Sequence, residues 1–326
     1  MPDKPQPRER IDAIDIARGV ALLAMAVYHF AWDLEFFGYV DPGMTAVGGW
    51  KIFARSIASS FLFLAGVSLF LAHADGIRWR GYWRRLAMVA GAALAISVAT
   101  YFATPDSFIF FGILHQIALA SVLGLAFVRL PAVLTLVAAG LVVAAPRFLR
   151  DAFFDAPWWW WTGLSEAYPR SNDYVPVFPW FAAVLAGIAV AKLARSSGLL
   201  DRLAAIRSGR WAQPAAFAGR HSLAVYLIHQ PVLIACVWLF AQVAPPAVES
   251  PDVLFLRSCE RACNDSRDSE FCTRYCVCMI ERLQTEGTFD RVIAGDEDPD
   301  LRSRVEGSAE ACTVETDNAM PEGELR

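Results

Sequence analysis

Seven long apolar stretches occupy most of the first 245 residues, and they constrain the fold more than any other feature of the sequence. A helix needs about 20 mostly apolar residues to cross the hydrocarbon core of a bilayer. The sequence therefore predicts an all-α, polytopic membrane bundle of about seven spans. The predicted spans cover residues 14–34, 50–71, 86–102, 108–130, 131–145, 177–193 and 222–243.

The composition excludes several other classes of protein. Hydrophobic residues make up 56% of the chain and charged residues 19%, whereas an ordinary soluble domain has about 45–50% and about 25%. The excess lies in the long runs, which excludes a soluble globular enzyme, a fibrous chain and a mainly disordered chain. The first run is not a cleavable signal peptide, because it is too long and Asp15 and Arg18 interrupt its start.

The distribution of lysine and arginine predicts how the bundle lies in the membrane. Positive side chains favour the cytoplasmic side in short connections. They are frequent at the N-terminus and after the second, fourth and sixth spans, whereas residues 36–49 and 103–107 contain none. We therefore expect an inner-membrane protein with a cytoplasmic N-terminus and an extracytoplasmic tail. The residues behind this expectation are Lys4, Arg8, Arg10, Arg78, Arg80, Arg84, Arg85, Arg129, Arg195, Arg202, Arg207 and Arg210, against Arg147, Arg150 and Arg170 in the fifth connection.

The chain divides by composition into a membrane domain, residues 1–248, and a polar tail, residues 249–326. Residues 250–326 contain 18 acidic and 9 basic side chains, a balance that repels the phosphates of nucleic acid. The last part of the tail, residues 295–326, is polar enough to predict disorder. The sequence thus predicts a lipid bilayer as a partner and no nucleic acid.

Six of the seven cysteines lie in the tail, which is typical of a disulfide framework in an oxidising compartment. Cys259 and Cys263, and likewise Cys272 and Cys276, have a spacing that places two sulfurs on one face of a helix. One arrangement is a helical hairpin with the pairs 259–276 and 263–272, leaving 278–312 as a third. Six cysteines allow 15 connectivities, and a four-thiolate metal site or free thiols are the alternatives.

Ionisable side chains inside the predicted spans are candidates for function, because they are costly in hydrocarbon. At 1.5 Å per residue, one group falls in the outer half of the membrane and a second in the inner half. The outer group is His29, Asp33, Arg55 and His115, with Gln116 beside the last. The inner group is Asp15, Arg18 and His229.

These residue types indicate proton transfer or binding of an anion. Histidine both accepts and donates a proton near neutral pH, and Asp33, one helical turn from His29, would orient its ring. Asp33 could instead be an exposed carboxylate, and Arg55 could pair with it or bind a substrate anion. Residues 158–161 are four tryptophans, which suit an aromatic belt at the interface or a surface on which a sugar stacks.

Four segments, in this order, resemble a known bacterial membrane family. It is named after the catalytic domain of heparan-alpha-glucosaminide N-acetyltransferase, and the similar region is residues 10–245. The first span reads RIDAIDIARG and then YHF at 28–30, and the fourth contains GILHQ at 112–116. The other two are DYVPVFPW at 173–180 and GRHSLAVYLIHQP at 219–231. One departure is that no histidine follows His29 before His73, so His29 would take the catalytic role.

The resemblance implies a membrane acyltransferase that moves an acetyl group from cytoplasmic acetyl-CoA to an extracytoplasmic amino sugar or glycan. His29 would be the base or nucleophile, Asp33 its orienting partner and His115 a second proton-transfer group. The acceptor would meet Arg55, Gln116 and Trp180, while Arg18, Arg84 and Arg85 would bind the phosphates of CoA. No metal is expected.

All these roles need one buried chamber that is shared by residues 29 and 115. Two other functions fit the same residues: a proton-coupled transporter with a histidine relay, and a membrane scaffold whose cysteine-rich tail binds a partner.

Overall fold

The computed structural model describes residues 11–167, 169–206, 209–246 and 250–319, and within them the structure is helical and contains no strand. Six helices are long and apolar enough to cross a membrane, and a seventh apolar helix is shorter. The seven are α1 (Asp12–Phe36), α2 (Gly48–His73), α3 (Trp79–Ala103), α4 (Ile113–Val128), α5 (Ala132–Leu149), α6 (Val177–Ser196) and α9 (Ser222–Val243). The predicted all-α membrane bundle is confirmed. Lys4, Arg8, Arg10, Arg207 and residues 320–326 lie outside the described part.

Helix bounds differ from the predicted spans by four residues or more at three places. The third helix begins at Trp79, seven residues before the predicted residue 86. The fourth helix begins at Ile113, five residues later than predicted, because the preceding segment is held by backbone hydrogen bonds to a later loop. Val175 N–H donates to the carbonyl of Phe111 at 3.0 Å, and Gly112 has extended backbone angles. The fifth helix continues past residue 145 to Leu149 and contains Pro146 inside it.

Short elements connect the spans. Two 3₁₀ turns, Ala152–Asp155 and Pro157–Thr162, follow α5 and carry the four tryptophans. Two short helices, α7 (Leu199–Ala205) and α8 (Gln213–Arg220), lie between α6 and α9.

The chain forms two compact units, and the first contains Lys51–Leu233 together with the N-terminal residues up to His29. Its main core is built from apolar side chains of α2, α4 and α6, including the fully buried Leu62, Leu185 and Ile188. Close helix contacts need small residues when lipid surrounds a bundle. Gly66 of α2 and Gly187 of α6 meet this need: a Cβ on either would lie 2.1 Å from a backbone oxygen of the other helix.

The second unit contains Phe30–Trp50 and Ile234–Arg326. Its C-terminal part has four helices, α10 (Pro251–Cys263), α11 (Ser269–Thr285), α12 (Phe289–Ile293) and α13 (Pro299–Ala319). The expectation of disorder after residue 295 was therefore wrong for α13, whose Leu301 and Cys312 are buried against the other tail helices.

Three disulfides link the tail helices, as the cysteine spacing suggested. Cys259–Cys276 and Cys263–Cys272 join α10 to α11, with Cα atoms 5.8 and 5.6 Å apart. Cys278–Cys312 joins α11 to α13. The two disulfides between α10 and α11 fix the register of these helices. The third attaches α13, which was expected to be disordered.

Within the same unit, α10 binds the segment that connects α1 and α2. Arg257 and Arg261 form ion pairs with Asp41 at 3.1 and 2.9 Å. The Glu35 carboxylate accepts hydrogen bonds from Gly43 N and Thr45 N at 2.6 and 2.8 Å, which folds this segment back on the end of α1. The tail is therefore attached to a membrane-domain loop by charge as well as by the chain.

Candidate functional site

A cavity of about 410 Å³ opens in the first unit among α1, α2, α3, α4 and the start of α9. Three arginines, Arg18, Arg85 and Arg220, line it, and the described lining residues include no carboxylate. Apolar side chains, among them Leu114 and Ile117, form most of the remaining wall. This "arginine cavity" therefore suits a ligand that carries negative charge at one end and an apolar or thin polar arm at the other.

Arg18 is held in place at the edge of this cavity. Its guanidinium donates to the buried Asp15 carboxylate at 3.0 Å and to the Ser68 hydroxyl. Arg18 is thus oriented by its neighbours before any ligand binds.

Arg220 reaches the cavity because α8 runs closely along α1. A Cβ on Gly19 would lie 2.0 Å from the Ala215 oxygen, and a Cβ on Gly219 would lie 1.8 Å from the Asp15 oxygen. These contacts place Gly219 level with Asp15 and Ala215 level with Gly19, so the two helices are antiparallel. The sequence after Gly219 therefore begins its last span close to the start of α1.

Tyr226 of α9 lines the arginine cavity and also contacts His229. Its ring packs edge-on against Phe61 at 6.5 Å and lies 5.7 Å from the ring of His229. Its backbone carbonyl is 2.6 Å from His229 Nδ1. A carbonyl only accepts, so Nδ1 carries the proton of the neutral ring and Nε2 carries the lone pair.

The ring of His229 also meets His29 of α1. The two ring centroids are 5.0 Å apart with the planes at 88°, and the Gln230 side chain hydrogen-bonds to His29. His229 Nε2 is buried and has no hydrogen-bond partner among the described residues. This "histidine pair" therefore offers one nitrogen that is free to accept a proton or attack an electrophile.

The contact between these histidines corrects the depths estimated from sequence. His29 was placed in the outer half of the membrane and His229 in the inner half, on the assumption that the ends of all spans are level. The contact between the two rings shows that this assumption does not hold for these two helices. Two residues at different counts along their helices can therefore meet.

His115 has different hydrogen-bond and ring partners from His29. Gly112 N–H donates to His115 Nδ1 at 3.1 Å, and Nε2 is 3.1 Å from the Ser97 hydroxyl. That hydroxyl gives its own proton to the Ile109 carbonyl at 2.6 Å, so Nε2 must be the donor in the neutral ring. Both nitrogens are used to hold the start of α4, which is a structural task.

The other residues predicted for the site are distributed over the structure. Gln116 is fully buried, and its side-chain amide has no hydrogen-bond partner among the described residues. Trp180 packs against the main core, whereas Arg55 and Arg84 are exposed and Arg84 does not line the arginine cavity. Asp33 is fully buried within the second unit, and its role as partner of His29 stays a prediction.

A comparison with families of known proteins decides which family this fold and site represent. The family described as "Heparan-alpha-glucosaminide N-acetyltransferase, catalytic" matches residues 10–231. The chain belongs to this family. The matched region contains the arginine cavity and the histidine pair, and it ends before the disulfide-linked tail. No curated protein and no solved structure gives a significant match.

Two residues of this acetyltransferase-family site, Arg220 and Tyr226, were absent from the candidates chosen by sequence, and a third, His229, was placed in the inner group, apart from His29. All three lie in the GRHSLAVYLIHQP segment that carries part of the resemblance. The signal was therefore available in the motif, but the depth estimate separated His229 from His29. Counting residues along a span cannot reveal the offset between two spans.

Proposed function

We propose that the protein transfers an acetyl group from acetyl-CoA to an amino sugar or related glycan on the other side of the membrane. The observation that supports this most is the sequence of groups inside the first unit. Three arginines line one cavity, Tyr226 stands at its wall, and the histidine pair lies directly behind Tyr226. The family match supports a membrane acetyltransferase-like role in general.

The arginine cavity matches the chemistry of CoA. Arg18, Arg85 and Arg220 would bind its phosphates, since guanidinium groups form paired hydrogen bonds with phosphate oxygens. The long pantetheine arm is narrow and suits the apolar remainder of the cavity. The thioester at the end of the arm would then approach Tyr226 and the histidine pair.

His229 would act as the general base through Nε2. It would take the proton of the acceptor amine as the nitrogen attacks the thioester carbonyl carbon, so that an N–C bond forms and the C–S bond breaks. The proton would then pass from His229 to the departing sulfur, which leaves as the thiol of CoA. His29, edge-on to His229, would hold that ring in place. Attack by the histidine itself, with an acetyl-histidine intermediate, is the two-step variant of the same reaction.

The disulfides support an orientation with the tail outside the cytoplasm. Stable disulfides need an oxidising compartment, and the tail has three. Basic side chains concentrated beside alternate connections support the same orientation. With an odd number of spans, the N-terminus and the arginines near the start of α3 would then be cytoplasmic, where acetyl-CoA is made.

Labelled acetyl-CoA tests this proposal directly. Purified protein in lipid nanodiscs is mixed with acetyl-labelled CoA and glucosamine, and the labelled N-acetyl sugar and any label on the protein are measured. We expect the wild type to form product and His229→Ala to be about 10²- to 10⁴-fold slower, the range for loss of a general base. Cys236→Ala, an exposed change on the same helix, should retain wild-type activity.

A pair of adjacent arginines tests the donor site. Arg85→Ala should raise the KM for acetyl-CoA at least tenfold, while Arg84→Ala should change it less than twofold, because only Arg85 lines the cavity. Equal effects of the two changes would contradict the assignment of the cavity.

A proton-coupled transporter is the second candidate, since two buried imidazoles in contact could also pass protons. It predicts proton-driven solute flux in proteoliposomes without consumption of acetyl-CoA. That result, together with a wild type inactive in acetyl transfer, would replace the enzyme by the carrier.

A further inference from the structure

Asp173 is the charged residue at the junction between the loop before α6 and the start of α4. Its Oδ2 accepts a hydrogen bond from Ile113 N at 2.8 Å. On either side of it, Asn172 N–H donates to the Ser107 carbonyl at 2.9 Å and Val175 N–H donates to the Phe111 carbonyl at 3.0 Å. The loop is thus tied to the segment leading into α4 before, at and after Asp173.

Gly112 shows how closely the carboxyl group is seated. A Cβ at this position would lie 2.3 Å from Asp173 Oδ2, so any larger residue at the N-cap of α4 would displace the carboxyl group. The first residues of α4 after Gly112, Ile113 and Leu114, line the arginine cavity. The position of Asp173 therefore fixes one wall of that cavity.

Tyr226 packs against the same apolar cluster as Ile113 and Val175, which lie beside the Asp173 carboxyl group, and that group interacts electrostatically with the phenol. Tyr226 lines the arginine cavity, and its backbone carbonyl fixes the tautomer of His229. One carboxyl group thus joins α4 to the residue that lies between the cavity and the histidine pair.

A charged carboxylate at this buried place destabilises the folded protein. Burial raises the pKa of Asp173 to about 6, even though the hydrogen bond from Ile113 N favours the charged form. Asparagine would keep an acceptor oxygen for Ile113 N without bringing a charge into the protein. A group that destabilises the fold when charged, and that faces a candidate site, is expected to serve that site.

We propose that Asp173 is a positioning residue for the acetyl transfer reaction, acting through Tyr226 and the start of α4 rather than by touching the substrates. Its hydrogen bond fixes Ile113 at the cavity wall, and its carboxyl group stabilises the position of Tyr226, which packs beside Ile113 on the same wall. This inference rests on the proposed function.

A double-mutant cycle of Asp173→Asn and Tyr226→Phe tests the proposal, with Asp106→Asn as the matched control on a nearby exposed carboxylate. Each single change should lower kcat at least tenfold, and the double variant should be no slower than the worse single variant, because both remove one interaction. Because the three arginines, rather than Ile113 or Tyr226, would bind the CoA phosphates, the KM for acetyl-CoA should change less than threefold. Asp106→Asn should retain wild-type kcat.

A second readout keeps the inference independent of activity. The same cycle measured on the melting temperature in detergent should show that the two changes are not additive, whether or not acetyl transfer is detected. A wild type that lacks acetyl-transfer activity but shows this coupling in melting temperature would overturn the proposed function and still support the interaction between Asp173 and Tyr226. Wild-type kcat in Asp173→Asn, or additive effects on both kcat and melting temperature, would overturn the inference about Asp173.

Discussion

At the scale of single residues, hydrogen-bond geometry separates histidines that the sequence treats alike. His115 uses both ring nitrogens to hold the start of α4, whereas His229 uses one nitrogen and leaves Nε2 buried without a partner among the described residues. The lone pair of His115 already accepts from a backbone N–H, so its neutral ring has no free acceptor for a substrate proton. The difference supports our proposal that His229, rather than His115, takes part in the chemistry.

Replacing His115 should therefore reduce stability more than catalysis. We expect His115→Ala to lower the free energy of unfolding by about 1–2 kcal/mol, the usual effect of losing a helix cap and a buried hydrogen bond. Unfolding monitored by fluorescence in detergent measures this, and activity is normalised to the folded fraction. The Ser97→Ala variant, which removes one of the two partners, should show a smaller loss. A hundredfold loss of activity in fully folded His115→Ala protein would contradict the structural assignment.

The raised pKa of Asp173 predicts how stability responds to pH. Because the folded-state pKa is about 6 and the ordinary value is 3.8, the folded protein binds more protons between these values. Its stability therefore falls as pH rises from about 4 to about 6 and stays lower above that range. The nearby titratable groups are His115 at the start of α4 and Tyr226 on α9.

Asp173→Asn should accordingly raise the melting temperature at pH 8, and the gain should shrink to nothing near pH 4. Melting curves of the variant, of wild type and of Asp106→Asn across this pH range provide the measurement. A gain that is independent of pH, or one that appears only in acid, would show that the charge of Asp173 is not the cause.

At the scale of helices, glycines set the distances that shape the first unit. Gly66 and Gly187 let α2 and α6 touch through their backbones, and Gly19 and Gly219 do the same for α1 and α8. The second contact brings Arg220 to the arginine cavity. The site thus depends on two places where no side chain is tolerated.

Substitution of these glycines should be far more harmful than substitution of glycines facing open space. Gly187→Ala would put a Cβ 2.1 Å from the Phe63 oxygen, and we expect a loss of about 1–3 kcal/mol from overpacking. Gly140→Ala, in a helix with nothing within 4 Å of the added atom, should be neutral or stabilising by up to about 1 kcal/mol. Equal melting temperatures for the two variants would refute the close helix contact.

The helices could be predicted from sequence to within a few residues because hydrophobicity and length are local properties. The exceptions are instructive. The start of α4 is moved by hydrogen bonds from Asn172 and Val175, which are more than 60 positions away from their partners in the chain. The pairing of His29 with His229 depends on how α1 and α9 lie against each other, which residue counts along each span do not reveal. Residues could thus be nominated by type and depth, but not assembled into a site.

At the scale of the whole molecule, the family match covers the N-terminal part of the chain and the disulfide-linked tail follows it. The match ends at residue 231, and three disulfides follow between residues 259 and 312. The tail pairing was predictable because cysteines four residues apart share a helix face. The attachment of α10 to Asp41 was not, since nothing in the sequence links arginines at 257 and 261 to an acid more than 200 residues earlier.

The disulfides should account for much of the stability of the tail. Removing the 17-residue link by Cys259→Ser with Cys276→Ser should lower tail stability by about 3 kcal/mol, as expected for a closed loop of this size. Limited proteolysis followed by mass spectrometry measures this as faster cleavage within residues 250–319. Cys236→Ser, which breaks no disulfide, should leave the cleavage rate unchanged. Unaltered protease resistance in the double variant would show that the hairpin does not need this bond.

The three cross-links also have a practical consequence for anyone who makes this protein. Six thiols must meet an oxidant after the last apolar helix has been inserted, so the choice of host and the route of export decide whether the C-terminal quarter matures. Synthesis in a reducing extract would give a protein whose membrane helices are present but whose tail lacks its disulfides and is cut by proteases. A preparation whose mass falls short by about 70 residues would be the sign that this maturation has failed.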